Sequence, residues 1–312
     1  MREKLRRRER KLYNGTKFVI CMSVGCGLLL IFMIGFMYFG AEKISFADLW
    51  NGLFHFDEGN FNHVVVRDMR LPRLLADIMV GVSLSVAGAV MQGNTKNPMA
   101  DSGIMGISSG SIFAVVFMMI FLPDASRLER IGYSCLGAGI STMMIYLVAF
   151  IGKKGITPER MVLSGMAIST LFSSITSGIV LKEGLTSEML KYTAGSSANA
   201  IWMDVSVSAP FFLAGFALAL MISRSLTVMN LGDDVSKGLG ANTAIIKLSS
   251  TLVVLVLSAI AVIIIGPVGY VGLMVPHIVR HFVGTDYRLV LPSCAVPVSY
   301  THLRAHETLR HL

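Results

Sequence analysis

The chain has 312 residues, of which 54% are hydrophobic and only 15% are charged, and its mean hydropathy is +0.67. One water-soluble core could not hide that much apolar surface, so the composition excludes an ordinary soluble domain and requires a membrane. The formal charge of +8 does not indicate a nucleic-acid partner, because many of the basic residues form one run, Met1 to Lys11.

The first predicted helix covers about 18–39 and directly follows this basic run. Lys and Arg next to a span stay on the cytoplasmic side, so the N-terminus is expected to be cytoplasmic. The apolar stretch is longer than the core of a signal peptide and lacks a clear small-residue cleavage site. We therefore expect an uncleaved span in a bacterial inner membrane.

Seven more apolar segments follow, and a span needs about 20 such residues. A polar outer segment, 40–69, precedes them, and a turn-rich inner loop, 93–103, interrupts them. The predicted helices lie at about 71–92, in a segment ending near Leu122, at 131–151, 161–181, 205–222 and 245–265, and in a short piece ending near Pro276 and His277. The sequence thus predicts an all-α, polytopic membrane protein with about eight spans.

The last residues, 298–312, do not fit this pattern, because they are too polar to span lipid. Three histidines, His302, His306 and His311, suggest a metal site. However, His306, the histidine that a Glu directly follows, lies five residues from His311, whereas the zinc-protease motif needs its second histidine four residues after the first, on one helical face. We expect no metal site and no cofactor, and we interpret this tail as the result of a truncation or frameshift.

Arg70, Pro72 and Arg73 stand where the second span begins. Proline is tolerated in a first helical turn, since its missing N–H had no partner there. Arginines three residues apart share one helical face. They are either interface arginines, with Arg73 paired to Asp77 one turn deeper, or a surface for a soluble partner.

The span at 161–181 is rich in hydroxyl side chains. Ser169, Ser173 and Thr176 follow an i, i+4, i+7 spacing and so form a stripe. Such small polar residues either let helices approach closely or line an aqueous path. The stripe alone favours neither role.

The loop between the spans at 205–222 and 245–265 predicts a short helix. Asp233 and Asp234 favour its N-terminal dipole, and Gly238 or Gly240 would end it. Such a compact helix is either a docking surface or a plain connector.

The sequence has no phosphate-binding loop, and its spans hold no Ser/His/Asp or metal constellation. Ionisable residues inside spans, which usually mark proton or sodium coupling, are almost absent, Asp77 being the exception. Uphill transport would then need an external energy source, and we expect a permease without enzymatic activity.

These motifs together resemble the FecCD-type permeases of ABC importers. The first half matches at Arg70 to Arg73, Gly81, Gln92, 97–101 and 106–110. The second half matches at Gly232 to Gly240 and from Gly266 to His277. The resemblance covers about 17–297, between a basic tail at 1–16 and the polar tail at 298–312.

The resemblance implies ten helices per subunit, of which about eight are present here, and two cytoplasmic ATPases on a homodimer or a pair of related permeases. It also implies an extracytoplasmic binding protein that docks on Arg70 and Arg73, and a translocation path along Ser169, Ser173 and Thr176. The remaining roles are ATPase coupling at Gly232, Asp233, Asp234, Leu239 and Gly240, and a glycine/proline break at Gly266, Pro267, Gly269, Gly272 and Pro276.

The expected cargo is an iron–siderophore or a similar metal chelate, with haem or cobalamin as alternatives, because carriers of all three share these motifs. A secondary transporter would instead need internal ionisable residues and inverted halves. A membrane-embedded enzyme would need a reactive cluster inside the spans. Dependence of uptake on a partner ATPase separates these classes.

Overall fold

The computed structural model describes residues 2–39, 44–101, 106–151, 158–193, 197 and 200–296. Within these ranges the chain forms helices and turns and no strand. A π-helical segment, Val65–Arg70, joins α3 and α4 into one continuous helix. The helices are α1 (Arg2–Tyr38), α2 (Phe46–Phe54), α3 (Phe61–Val64), α4 (Leu71–Thr95), α5 (Ile107–Phe121), α6 (Arg127–Phe150), α7 (Pro158–Lys182), α8 (Thr186–Thr193), α9 (Trp202–Met229), α10 (Asp233–Gly238), α11 (Thr243–Ile265), α12 (Val271–Val283) and α13 (Tyr287–Cys294).

Among the described residues, six helical stretches are long and apolar enough to cross a membrane, namely Phe18–Tyr38, Phe61–Thr95, Leu128–Phe150, Arg160–Lys182, Trp202–Met229 and Thr243–Ile265. Two shorter apolar helices, α5 and α12, complete the eight predicted segments. The all-α, polytopic prediction is therefore confirmed. The predicted tail, 298–312, and its three histidines lie outside the described residues.

Two details differ from the sequence prediction. The polar segment before α4 contains α2 and α3, α8 follows α7, and α13 follows α12, although none of these regions was predicted to be helical. The eighth helix does not end near Pro276 but continues through it to Val283. Proline removes one backbone hydrogen bond, which frees the carbonyl four residues earlier, that of Gly272. The side-chain amide of Gln92 donates to this carbonyl at 3.2 Å, so the helix can continue.

Helix α4 lies at the centre of the described bundle and contacts α9, α11, α12 and α13. Its middle residues, Val80 and Leu84, pack against Ala261 and Ile265 of α11. We name the two sides of the molecule after the ends of this helix, the Arg70 end and the Thr95 end. The chain between Ile265 and Val271 is not helical, so this break lies beside the middle of α4.

Close backbone contacts hold this centre together. A Cβ atom on Gly88 of α4 would overlap the backbone of Gly272 in α12. Gly110 of α5 and Gly137 of α6 approach each other in the same way. Small residues let helices in a bilayer pack this closely, because lipid offers no hydrophobic force that would drive them together.

Candidate functional site

Helix α10 is a short surface helix at the Thr95 end. It begins after Gly232, whose φ is +119°, and the chain turns away at Gly240, whose φ is +79°, so both glycines occupy backbone conformations that other residues rarely adopt. The hydroxyl of Ser236 is buried and lies 2.9 Å from the carbonyl oxygen of Val228. One side of α10 is thus fixed to the end of α9.

Another side of α10 presents apolar side chains. Val235 and Leu239, the residue that ends the helix, are 51% and 65% exposed and share one face through their i, i+4 spacing. Leu231, 63% exposed, lies in the turn before Gly232. Leu239 was predicted from the sequence, whereas Leu231 and Val235 were not. Asp234 is exposed, and the side chain of Asp233 lies outside the described part of the structure.

The end of α9 is joined to the turn between α12 and α13. The backbone N–H of Tyr287 donates to the Thr227 hydroxyl at 3.0 Å, and that hydroxyl lies 3.1 Å from the Asp286 carboxylate. Asp286 also binds the guanidinium of Arg288 through both oxygens and caps α13. This hydrogen bond from Arg288 is the largest cause that lowers the pKa of Asp286.

A polar network continues from this turn to α4. The hydroxyl of Tyr287, a fully buried side chain, accepts a hydrogen bond from the Arg280 guanidinium at 3.0 Å. Arg280 also donates to the side-chain oxygen of Gln92, whose amide in turn donates to Gly272 and Leu273 in the first turn of α12. Hydrogen bonds therefore connect α10, α9, α13 and α4 with the first turn of α12, which directly follows the helix break. No sequence pattern identified Arg280 or Tyr287, because the network joins residues far apart in the chain.

The break itself contains Gly266, Pro267 and Gly269, whereas Gly272 and Pro276 lie inside α12. Gly266 has a φ of +80° and ends α11. Irregular backbone at this depth is tolerated only where protein or a water-filled cavity surrounds it. The surrounding protein includes Val80 and Leu84 of α4, which pack against Val271 at the start of α12.

At the Arg70 end, the two predicted docking arginines are largely engaged within the chain. Arg70 is only 7% exposed, and its guanidinium donates to the carbonyl oxygens of Met37 and Tyr38 at the end of α1. Arg73 is half-buried and interacts electrostatically with the fully buried Asp77. The interaction of Arg73 with Asp77 is the pairing that the sequence left open as part of the alternative to docking.

A third arginine at this end is exposed. The guanidinium of Arg67 lies 4.4 Å from the centre of the Phe56 ring, and its backbone carbonyl accepts from the indole N–H of Trp202. Arg67 lies three residues before Arg70 and outside the motif from Arg70 to Arg73, so the motif did not identify it.

The predicted stripe on α7 is divided between two environments. Ser169 is half-buried beside Ser109 of α5, 3.4 Å away, and Thr176 is 5% exposed with its hydroxyl donating to Phe172 of its own helix. Ser173 is exposed. The exposed face of α7 carries a different set of hydroxyls, which comprises Thr170, Ser173, Ser174 and Ser177.

No group of three metal-ligating side chains occurs in the parts of the chain that the structure describes. Cys21, Cys26, Cys135 and Cys294 are all free thiols. The contacts that the structure shows at these sites are hydrogen bonds, charge pairs and apolar packing.

Comparison with known proteins identifies relatives over nearly the whole chain. The model of the FecCD transport family matches residues 28–301. The chain is 36% identical over 278 residues to the iron(3+)-hydroxamate import system permease protein FhuB of Bacillus subtilis (strain 168), covering 89% of this chain and 72% of that protein. It is 39% identical over 271 residues to the Fe(3+)-citrate import system permease protein YfmD of the same organism, covering 86% and 80%.

The fold is also similar to that of a solved structure. That structure is described as an inward-facing conformation of a metal-chelate type ABC transporter. The TM-score is 0.79 at 25% sequence identity, and the match covers 94% of this chain and 90% of the other.

Proposed function

This chain belongs to the FecCD transport family, and we propose that it is the membrane-spanning subunit of an ABC importer that carries an iron chelate. The names of its relatives, which import iron(3+)-hydroxamate and Fe(3+)-citrate, support this cargo class. ATP hydrolysis then belongs to a separate subunit. Two permease subunits, identical or related, would enclose the path between them.

The observation that carries the proposal is the exposed apolar face of α10, formed by Val235 and Leu239 at i, i+4, with the exposed Leu231 in the turn before the helix. Exposed apolar side chains at this spacing are typical of a helix that lies in a groove of a partner. The buried Ser236 holds the other side of the helix against α9, so force on α10 would act on the transmembrane bundle. We infer that this face binds the ATPase, because the motif from Gly232 to Gly240, which contains Leu239, resembles the ATPase-coupling loop of FecCD-type permeases.

The hydrogen-bond network connects the proposed docking site to the transmembrane helices. Thr227, Tyr287, Arg280 and Gln92 connect the end of α9 with the first turn of α12. Coupling through such a network requires an element with two arrangements. The non-helical stretch at 266–270 beside the middle of α4 is the element that we propose changes when the ATPase binds and hydrolyses ATP.

The cargo path runs, in this proposal, along the exposed face of α7. Thr170, Ser174 and Ser177 follow the i, i+4, i+7 spacing, with Ser173 beside them. A hydrated chelate bears many hydrogen-bonding groups, and short hydroxyls can bind these weakly enough to let it pass. The sequence-based stripe shares only Ser173 with this face.

The Thr95 end would face the cytoplasm, because α10 must meet a cytoplasmic ATPase, and this agrees with the basic N-terminal run. The Arg70 end would then face the binding protein. Arg67 is exposed there and Arg73 is half-buried, so we propose that they supply more of the docking charge than the buried Arg70.

The central test uses the permease in proteoliposomes together with its partner ATPase and binding protein. ATP-driven uptake is measured with radioactive iron as hydroxamate, citrate and catecholate chelates, with haem and cobalamin as competitors. Val235→Glu and Leu239→Glu should abolish ATPase binding and uptake, because a charge replaces apolar contact. Charge reversal at Asp233 and Asp234 should uncouple hydrolysis from uptake.

The matched control is Lys237→Glu, which places the same glutamate side chain on α10 away from the apolar face and makes an even larger change in net charge, from +1 to −1 at that position. It should keep ATPase binding. Uptake that persists without any ATPase and follows a proton gradient would contradict the proposal and favour a secondary transporter.

A further inference from the structure

Helix α2 has a side that packs against the rest of the protein. Leu49 and Gly52 are buried on this side. A Cβ atom added to Gly52 would lie 3.2 Å from the Val66 side chain and 3.3 Å from the His63 backbone. Ser45 caps the helix by accepting from the N–H of Asp48. The helix is therefore held in one orientation.

A second side of α2 presents a row of aromatic rings. Phe46, Trp50 and Phe54 are 62%, 53% and 64% exposed, and they follow an i, i+4, i+8 spacing. The rings of Trp50 and Phe54 are 4.6 Å apart, so they form one surface. A soluble surface rarely exposes a contiguous apolar patch without a binding partner.

The third side of α2 is polar. A helix turns by about 100° per residue, so Asn51 lies about 100° and Asp48 about 160° from Trp50 around the axis. The Asp48 carboxylate accepts from the Ser45 hydroxyl at 2.8 Å and from the Asn62 amide at 3.0 Å. Protein, apolar and polar sides thus divide the circumference of α2 into three sectors.

The position of α2 relative to the spans is also fixed. Leu49 shares an apolar cluster with Met37, near the end of α1, and with Leu74, in the first turn of α4. The exposed surface of α1 continues to this level through Ile34 and Phe39, which are 52% and 67% exposed. Helix α2 therefore lies at the level where the exposed apolar span Phe18–Tyr38 of α1 ends.

We propose that α2 is an interfacial helix whose partner is the lipid bilayer at the Arg70 end. Phe46, Trp50 and Phe54 insert among the upper acyl chains, and Asp48 and Asn51 face the headgroups and water. Amphipathic helices lie in this plane with their apolar face about 5–10 Å inside the boundary, and Trp is enriched at that depth. The proposal concerns lipid contact alone and does not depend on the cargo or on the ATPase.

Two tryptophans in the whole sequence make this measurable, since Trp202→Phe leaves Trp50 as the single indole. The full chain with this substitution is placed in phospholipid nanodiscs whose lipids carry bromine either near the glycerol end or near the methyl end of the acyl chains. Bromine quenches indole fluorescence on contact. Trp50 emission should be lost strongly with the shallow bromine, weakly with the deep bromine, and little with aqueous iodide.

The matched control moves the indole to the polar side of the same helix. Asn51→Trp is combined with Trp50→Phe and Trp202→Phe, and this indole should respond to iodide and not to brominated lipid. Trp202→Tyr serves as a second background if the phenylalanine variant does not yield folded protein by circular dichroism.

Equal iodide quenching of Trp50 and of the indole at position 51 would overturn the proposal, because both sides would then face water. Protection of Trp50 from bromine and iodide alike would also overturn it, since a second protein chain would then cover the face.

Discussion

Helices α4 and α7 both have 25 residues and both are rich in small side chains, yet they occupy opposite environments. In the apolar part of the helical stretch Phe61–Thr95, which contains α4, 89% of the residues are buried. In the corresponding part of α7, 28% are buried. Gly88 of α4 touches the backbone of α12, whereas Gly178 of α7 has no neighbour within 4 Å of a Cβ atom placed on it. Small residues permit close packing in the first helix and leave an accessible hydroxyl face on the second.

The largest expected effect is a difference in stability between alanine variants at these two glycines. Gly88→Ala should destabilise the protein by about 1–3 kcal/mol or more, because the added Cβ would overlap backbone atoms of Gly272 that cannot move aside. Gly178→Ala should be neutral or stabilising by up to about 1 kcal/mol, since alanine is the better helix former. Thermal unfolding midpoints in the same detergent measure both. Equal midpoints would show that α4 and α12 are not in contact.

The polar contacts of α4 provide the next test. Arg280→Met should destabilise the protein by about 1–3 kcal/mol, because Gln92 and the Tyr287 hydroxyl both lose their donor. Tyr287→Phe should cost less, about 1 kcal/mol, since Arg280 still donates to Gln92.

The double variant decides whether the three side chains act together. If they form one network, the effect of Tyr287→Phe should largely disappear when Arg280 is already replaced. Strictly additive unfolding free energies would argue against the network.

On α7 the expected effect is functional. Ser174→Leu and Ser177→Leu should reduce ATP-driven uptake several-fold and leave the unfolding midpoint unchanged, because both side chains are exposed. Thr176→Val should leave uptake unchanged, since the Thr176 side chain is only 5% exposed. The reverse result would favour the stripe of Ser169, Ser173 and Thr176 as the path.

The smallest effect concerns the surface pair of Asp286 and Arg288, at the turn that joins the α4 network to α9. Because Arg288 lowers the pKa of Asp286 in the folded protein, the carboxylate stabilises the fold above its unfolded-state pKa, and this contribution is lost as the pH falls through the lower folded-state value. Asp286→Asn keeps a side chain suited to capping α13. It should cost about 0.2–1 kcal/mol at neutral pH.

The pH dependence identifies the charge as the cause. The difference between wild type and Asp286→Asn should shrink as the pH falls below 3.8. Arg288→Gln should give the same profile, because it removes the other member of the pair. A difference that persists unchanged in acid would assign the effect to packing.

Motifs close together in the sequence were predictable because their chemistry is local. The two aspartates and flanking glycines of 232–240 predicted α10, and the structure confirms a helix from Asp233 to Gly238. The helix end predicted near Pro276 was wrong. The donor that replaces the missing backbone hydrogen bond of this proline is Gln92, which lies 184 residues earlier in the chain. The sequence shows the hydroxyl residues of α7, but which of them face away from the bundle depends on how α5 and α6 pack against this helix.

The sequence by itself determined the all-α membrane fold, the eight apolar helices and the family, because span length and local motifs are read along one helix at a time. Tertiary structure alone decided which small residues touch backbone, where Arg70 and Arg280 place their charges, and that Trp50 belongs to an exposed aromatic face. These properties depend on contacts between distant helices. Helical periodicity states which residues share a face, but not what that face meets.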